Sequence, residues 1–205
     1  MLAIGCTGGI GAGKSSVTSR LGARGAIVVD ADDFSRQALA AGSPGVDLVR
    51  ARFGDAVFTN NGSLDRRALA DVVFADAVAR ADLERIVHPH VESRIRDVLT
   101  AYAGSDQVVV VDVALLAERG GRARYGLDGV IVVDADEATC LERLMRDRGM
   151  DEVHAKLRMG AQMDRSERLG VADFVVLNIG SLAELDAMVA ESWSWILRLR
   201  EELGR

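Results

Sequence analysis

Three clusters of side chains in this sequence are of types and spacings that could carry chemistry. The first is "GGIGAGKSS" (8–16), with four glycines, one lysine and two serines in nine positions. Glycine loses more backbone freedom on folding than any other residue, so such a cluster implies a backbone that must wrap something closely. The segment fits G-x-x-x-x-G-K-[ST], with Gly8 and Gly13 as the fixed glycines and Lys14 and Ser15 closing it. Such a loop converges its backbone N–H groups on phosphate oxygens, and the helix that follows adds partial positive charge. Lys14 would reach the β- and γ-phosphates of a nucleoside triphosphate, and the Ser15 hydroxyl would bind Mg²⁺. Of the 25 basic residues only Lys14 and Lys156 are lysine. In a chain that otherwise writes positive charge as arginine, Lys14 marks a place that wants a compact ammonium.

The second cluster is "VVDADDFSRQ" (28–37), where Asp30, Asp32 and Asp33 follow an apolar run. In a parallel sheet, ligands sit at the carboxyl ends of the strands. Carboxylates near a triphosphate are unfavourable unless metal or chemistry compensates, and accepting the proton of an acceptor hydroxyl is one such use. Asp30 could equally cap the next helix, and the others could be solvated. The third cluster holds Arg143, Arg146, Arg148, Arg158, Arg165 and Arg168, six arginines in 26 residues of a chain with net charge −6. Some of them suit a solvated helix face paired with Glu142, Asp147 and Asp151. Two or three suit a lid that closes over phosphates and stabilises charge on a moving phosphoryl group.

The elements that would position these clusters alternate along the chain. Strands are expected at 2–6, 26–30, 108–113, 129–134 and 173–178. They are Val/Ile-rich and near-continuous, as for strands covered on both faces. One helix begins near Lys14, another covers 79–103 with an interruption or bend at Pro89, and a third closes the chain. Alternation of strand and helix predicts an α/β fold, a parallel sheet of about five strands flanked by helices. The gap between the second and third strands is too long for one crossover and implies an inserted helical region. The expected organisation is a single domain with a core at about 1–30, 106–140 and 170–205, an insertion at about 31–105 and a lid at about 141–169.

Composition bounds the rest. At 205 residues, 49% hydrophobic and 27% charged, the chain reads as one ordinary globular protein. The acidic balance argues against broad nucleic-acid binding. The longest apolar runs are too short for a bilayer, and "MLAIGC" has no basic flank or long apolar stretch of a secretion signal. Cys6 and Cys140 match no metal or redox spacing, and a cytoplasmic location is expected. Oligomeric state is left open.

The chain resembles the dephospho-coenzyme A kinase family over nearly its whole length. The resemblance is carried by "TGGIGAGKSSV" (7–17), "VVDADDFSR" (28–36), "SLDRRALADVVFAD" (63–76), "LERIVHPHV" (83–91), "VVVDVALLAE" (109–118), "RLMRDRG" (143–149), "RMGAQ" (158–162) and "VADFVVLNIG" (171–180). "LERIVHP" following "LDRRALA" is far more specific than the phosphate loop. The resemblance implies a P-loop NTPase-type kinase core with a helical substrate region and a lid. It implies ATP-dependent phosphorylation of the ribose 3′-hydroxyl of dephospho-CoA, with Mg²⁺. Carried across by position, Gly9, Gly11, Ala12, Gly13, Lys14, Ser15 and Ser16 match the ATP loop, and Asn178 lies in the stretch near the adenine. Asp32 matches the carboxylate at the acceptor hydroxyl. Thr7, Arg36, Asp65 and His88 match substrate contacts, and Arg143 matches the lid arginine. Lys14, Asp32 and Arg143 are the expected catalytic set. His88 is assigned contact rather than acid–base chemistry, and His90 no role.

Three departures from the family pattern stand out. Ser16 replaces a threonine, Cys6 an apolar residue, and Ala114 the proline of "D-x-P-L-L", which frees a φ angle after the third strand. Other readings remain. A kinase of another small-molecule alcohol would share the loop and lid but not "LERIVHP" with "SLDRR". A switch GTPase would need N-K-x-D, which "LNIG" does not supply. A non-catalytic nucleotide-binding module would keep the loop and lose the acceptor-side carboxylate.

Overall fold

The computed structural model describes residues 1–116 and 120–205. Ala117 and Glu118, at the end of the 109–118 stretch, lie outside the described residues. Two compact units are present, one formed by Met1–Asp30 with Leu99–Arg205 and the other by Ala31–Val98.

The first unit is built on five parallel strands: β1 (Leu2–Gly8), β2 (Ile27–Asp30), β3 (Val108–Asp112), β4 (Gly129–Asp134) and β5 (Phe174–Leu177). Their order across the sheet is β2-β3-β1-β4-β5. Every residue of β1, β3 and β4 is buried, because successive side chains point to opposite faces and both faces are covered. On one face Leu2, Ile4 and Cys6 join Val17 and Leu21 of helix α1 (Lys14–Ala23) and Leu185, Val189 and Ile196 of helix α10 (Leu182–Glu202). On the other, a Cβ at Gly5 would meet Leu127 Cδ1 at 2.7 Å and Leu116 Cδ2 at 2.8 Å, so the small residue lets those leucines reach the strand. Helix α10 starts at a capping box in which Ser181 and Glu184 bond each other's backbone N–H.

The short α6 (Gly121–Tyr125) lies between β3 and β4, and α7 (Glu137–Arg148), α8 (Glu152–Gly160) and α9 (Arg165–Leu169) lie between β4 and β5. Asp136, Asp151 and Asp164 cap the N-termini of α7, α8 and α9, each accepting a backbone N–H of the first turn. Aspartate here satisfies donors that no helical carbonyl can reach.

The second unit contains α2 (Ala31–Ala38), α3 (Pro44–Phe53), α4 (Arg66–Ala75) and most of α5 (Ala77–Tyr102). Its small core is Val49, Val57 and Leu69. Asp82 of α5 is buried and accepts ion pairs from Arg52 of α3 and Arg85 of its own helix. Of the interruption or bend expected at Pro89, the interruption does not occur: α5 is helical from Ala77 to Tyr102, with Pro89 inside it. Proline removes one backbone donor and crowds the preceding turn. The buried residues Val87, Val91 and Ile95 recur on one face through and beyond it, and that burial outweighs the loss.

Among the described residues no helix is long and apolar enough to cross a membrane.

Candidate active site

The phosphate loop joins β1 to α1, as the motif requires. Gly11 and Gly13 have φ of +83° and +88°, angles that side chains rarely adopt. At Gly13 a Cβ would also lie 2.2 Å from Asn178 Nδ2, and at Gly11 one would lie 2.7 Å from the Cys140 carbonyl. Gly13 is the N-cap of α1 and has no side chain to cap it. The Ser16 N–H bonds the Gly13 carbonyl at 3.0 Å; with no capping side chain, the earlier N–H groups of the turn, at Lys14 and Ser15, are offered to a ligand.

The loop is braced from several elements. Asn178, just after β5 and buried, donates from Nδ2 to the Ala12 carbonyl at 2.8 Å. Arg143 of α7 reaches the same carbonyl at 3.5 Å from Nη1. Gln162, between α8 and α9, accepts the Ile10 N–H at 2.8 Å. Thr7, fully buried, donates its hydroxyl to the Ala114 carbonyl at 3.1 Å.

Lys14 forms an ion pair with Asp112, the last residue of β3. The Thr18 hydroxyl also donates to Asp112, at 3.3 Å. Burial pushes the Asp112 carboxyl above the usual carboxylate range. The Lys14 charge and hydrogen bond pull it back, Asp30 pushes it up and Thr18 pulls it down. In the register of the sheet, Asp112 stands opposite Asp30 of β2 on one side and Cys6 of β1 on the other. Burial first, and then the Asp112 charge, raise the Cys6 thiol above the ordinary range, so it stays neutral and packs as an apolar group.

The arginine cluster divides by location. Arg146 pairs with Glu142 and Asp147 on the exposed face of α7. Arg165 makes a two-pronged bond to Asp134, the last residue of β4, at 2.9 and 2.5 Å. Arg168 donates to the Met163 carbonyl at 3.0 Å, and its guanidinium lies 3.0 Å from where a Gly9 Cβ would sit. Arg143, Arg165 and Arg168 therefore flank the loop. A cavity of about 520 Å³ opens here, lined among others by Gly9, Ile10, Cys140, Lys156, Met159 and Arg165.

Of the expected site residues, the first unit thus brings together Thr7, Gly9, Gly11, Ala12, Gly13, Lys14, Ser15, Ser16, Arg143 and Asn178. The other four lie in the second unit. Asp32 is in the first turn of α2. Arg36 pairs with Asp33 one turn away, and its carbonyl accepts from Arg66 at 3.3 Å. Asp65 is the N-cap of α4 and accepts the N–H groups of Arg67 and Ala68, both at 3.0 Å. His88 is half-buried on α5. His90, given no role, has a buried Nε2 without a hydrogen-bond partner.

Sequence reasoning missed Asp112, Asp134 and Gln162. A signal for the first two was present: "IVVD", "VVVVD" and "GVIVVD" are three apolar strands that each end in aspartate. Parallel strands bring those ends to one edge of the sheet, beside the loop. Gln162 carried no signal beyond its place in the "RMGAQ" stretch.

This arrangement, a braced phosphate loop with a lysine, strand-end carboxylates and flanking arginines, is that of a P-loop phosphotransferase. A family model described as dephospho-CoA kinase matches residues 2–184. A dephospho-CoA kinase of Thermobifida fusca is 46% identical over 198 residues, covering 97% of this chain and 98% of the relative. One of Streptomyces avermitilis is 46% identical over 204 residues, covering 100% and 98%. A crystal structure of TT1252 from Thermus thermophilus superposes with a TM-score of 0.81 at 32% identity, covering 94% of this chain and 96% of that one. A match of this extent takes in the loop, the arginine segment and the helical insertion together, and on it the chain belongs to the dephospho-CoA kinase family.

Proposed function

We propose that this protein transfers the γ-phosphoryl group of ATP to the ribose 3′-hydroxyl of dephospho-CoA, giving CoA and ADP, in the cytoplasm. The observation that carries this reading is the family match across residues 2–184, which spans both the phosphate loop and the "LERIVHP" helix. A kinase of another small alcohol would not carry the second.

The chemistry follows from charge. Phosphoryl transfer spreads charge over the equatorial oxygens of the moving group, so catalysis is positioning plus electrostatic stabilisation. The loop N–H groups and Lys14 would hold the β- and γ-phosphates. Lys14 would exchange its Asp112 partner for phosphate oxygens as ATP arrives. The Ser15 hydroxyl and the Asp112 carboxylate are hard oxygen donors of the kind Mg²⁺ takes alongside phosphates and water. Among the described residues no cluster of three acidic, His or Cys side chains could hold a metal alone, so the phosphates would complete the shell. Bound there, Mg²⁺ would neutralise charge on the phosphate oxygens.

Arg143 would swing from the Ala12 carbonyl to the transferring phosphoryl group. Asp32 would accept the proton of the 3′-hydroxyl or fix that hydroxyl in line. Arg36, Asp65, His88 and Thr7 would position dephospho-CoA. Asn178 would serve ATP through the loop it braces.

The test is turnover with a panel of acceptors, with the product located by phosphorus NMR. A 3′-phosphate formed on dephospho-CoA, and little product from shikimate or nucleosides, is expected. Preference for another alcohol, or ATP binding with no turnover on any acceptor, would refute the reading.

A further inference from the structure

Gln162 reaches the phosphate loop across 152 residues of sequence. The donor at Ile10 is a backbone N–H, which can only donate, so the carboxamide must present its oxygen and the orientation of Gln162 is decided by chemistry. Ile10 directly precedes Gly11, where the chain turns into a positive φ. Two residues on, the Ala12 carbonyl is held by Asn178, and the Ala12 N–H bonds the Gly9 carbonyl at 3.0 Å. Two peptide planes, at Ile10 and at Ala12, are therefore anchored from outside the loop by different elements. Peptide groups are planar and stiff, so anchoring two of them around one glycine leaves the intervening backbone little freedom. The N–H groups that follow are then aimed before any ligand arrives.

We propose that Gln162 is a positioning residue for ATP. Its carboxamide locks the Ile10 peptide so that the phosphate loop is preorganised, and it ties the loop to the 141–169 segment. Gln162 touches no reacting atom. The inference rests on the nucleotide-binding reading above and deepens it. Preorganisation raises affinity by removing ordering that binding would otherwise require. Its loss should therefore appear in ATP binding and not in dephospho-CoA binding.

Gln162→Leu removes the acceptor, while Gln162→Glu keeps an oxygen at the same reach. The readouts are hydrogen exchange of the Ile10 amide by NMR, ATP affinity by calorimetry, kcat and KM for each substrate, and thermal melting. In Gln162→Leu, Ile10 exchange should rise and ATP affinity should fall on the order of tenfold, as for a part-buried donor left unpaired. The KM for dephospho-CoA should stay within about twofold. Gln162→Glu should restore Ile10 protection, while its charge beside the phosphate loop keeps ATP affinity below the wild-type value. If the leucine variant does not fold, Gln162→Met, of similar length, takes its place. Unchanged ATP affinity alongside raised Ile10 exchange overturns the proposal. So does an equal loss for both substrates, or a glutamate variant whose Ile10 amide exchanges as fast as in the leucine variant. A wild-type protein that binds ATP but phosphorylates no dephospho-CoA would refute the assigned reaction, and the comparison of ATP affinities would still stand.

Discussion

Replacing Lys14 by methionine keeps the length of the side chain and removes its charge, so the Asp112 carboxylate loses its ion-pair partner. The side chains of the pair are 18% and 7% exposed. Removing one partner of a buried pair costs about 3–5 kcal/mol when the remaining charge is stranded. Asp112 has a way out, which is to take up a proton. From the ordinary value of 3.8, protonation at neutral pH costs about 4 kcal/mol, and burial has already lifted the group, so the ceiling is lower. The Thr18 hydroxyl also remains as a donor. Lys14→Met should therefore destabilise the free protein by about 2–3 kcal/mol at neutral pH. Adding Asp112→Asn should recover most of that loss, because the stranded charge is gone. The pH dependence has a definite sign. A carboxyl raised in the folded state binds a proton more readily there than in the unfolded chain. The deficit of Lys14→Met is then largest above the folded-state value and shrinks as pH falls towards the unfolded one. Turnover behaves differently: both the single and the double variant should lose a hundredfold or more, on the order expected for one preorganised charge contact. Urea unfolding at several pH values, with turnover in parallel, tests this. A double variant no more stable than Lys14→Met, or a deficit that does not shrink on acidification, would refute the reasoning.

Asp32→Asn should keep ATP binding and lose most phosphoryl transfer, while Asp33→Asn should loosen only an exposed pair with Arg36, worth less than about 1 kcal/mol. If Asp33→Asn is the inactive protein, the acceptor-side assignment is wrong. Arg143→Ala should lower kcat far more than it weakens ATP binding measured alone, since the arginine rests on a loop carbonyl in the free protein. Equal losses would mark it as a fixed ground-state contact. The carboxyl of Asp151, lowered by the His154 backbone N–H it accepts and then by the His154 side chain, supports α8 above the ordinary carboxylate range and loses that role as pH falls through its own lower value. Asp151→Ala should therefore reduce α8 helicity near neutrality, and its difference from the wild type should shrink as pH falls below the ordinary carboxylate range. Backbone NMR shifts of 152–160 report both states.

What the sequence by itself determined is local. The glycines of 8–16 declared a backbone that wraps a ligand closely and leads into a helix; that the positive φ angles fall at Gly11 and Gly13 is a finding of the structure. Five apolar runs declared five strands, but the burial on both faces expected of all of them holds only for β1, β3 and β4; β2 and β5 are the sheet's edges and leave Val28, Val175 and Leu177 exposed. The resemblance of long stretches such as 63–76 and 83–91 supplied a family, which periodicity alone could not.

Only the tertiary structure decided which groups meet. Lys14 pairs with Asp112, 98 residues away, because the order β2-β3-β1-β4-β5 puts β3 beside the strand that feeds the loop. Arg165 finds Asp134, and Gln162 finds Ile10, for the same reason. At Pro89 the sequence allowed an interruption or a bend, and α5 runs through it unbroken because its apolar face is buried on both sides of the proline. A residue's backbone preference is set by its own side chain and near neighbours. Its partner is set by which strands lie side by side, and that depends on the burial of the whole chain at once.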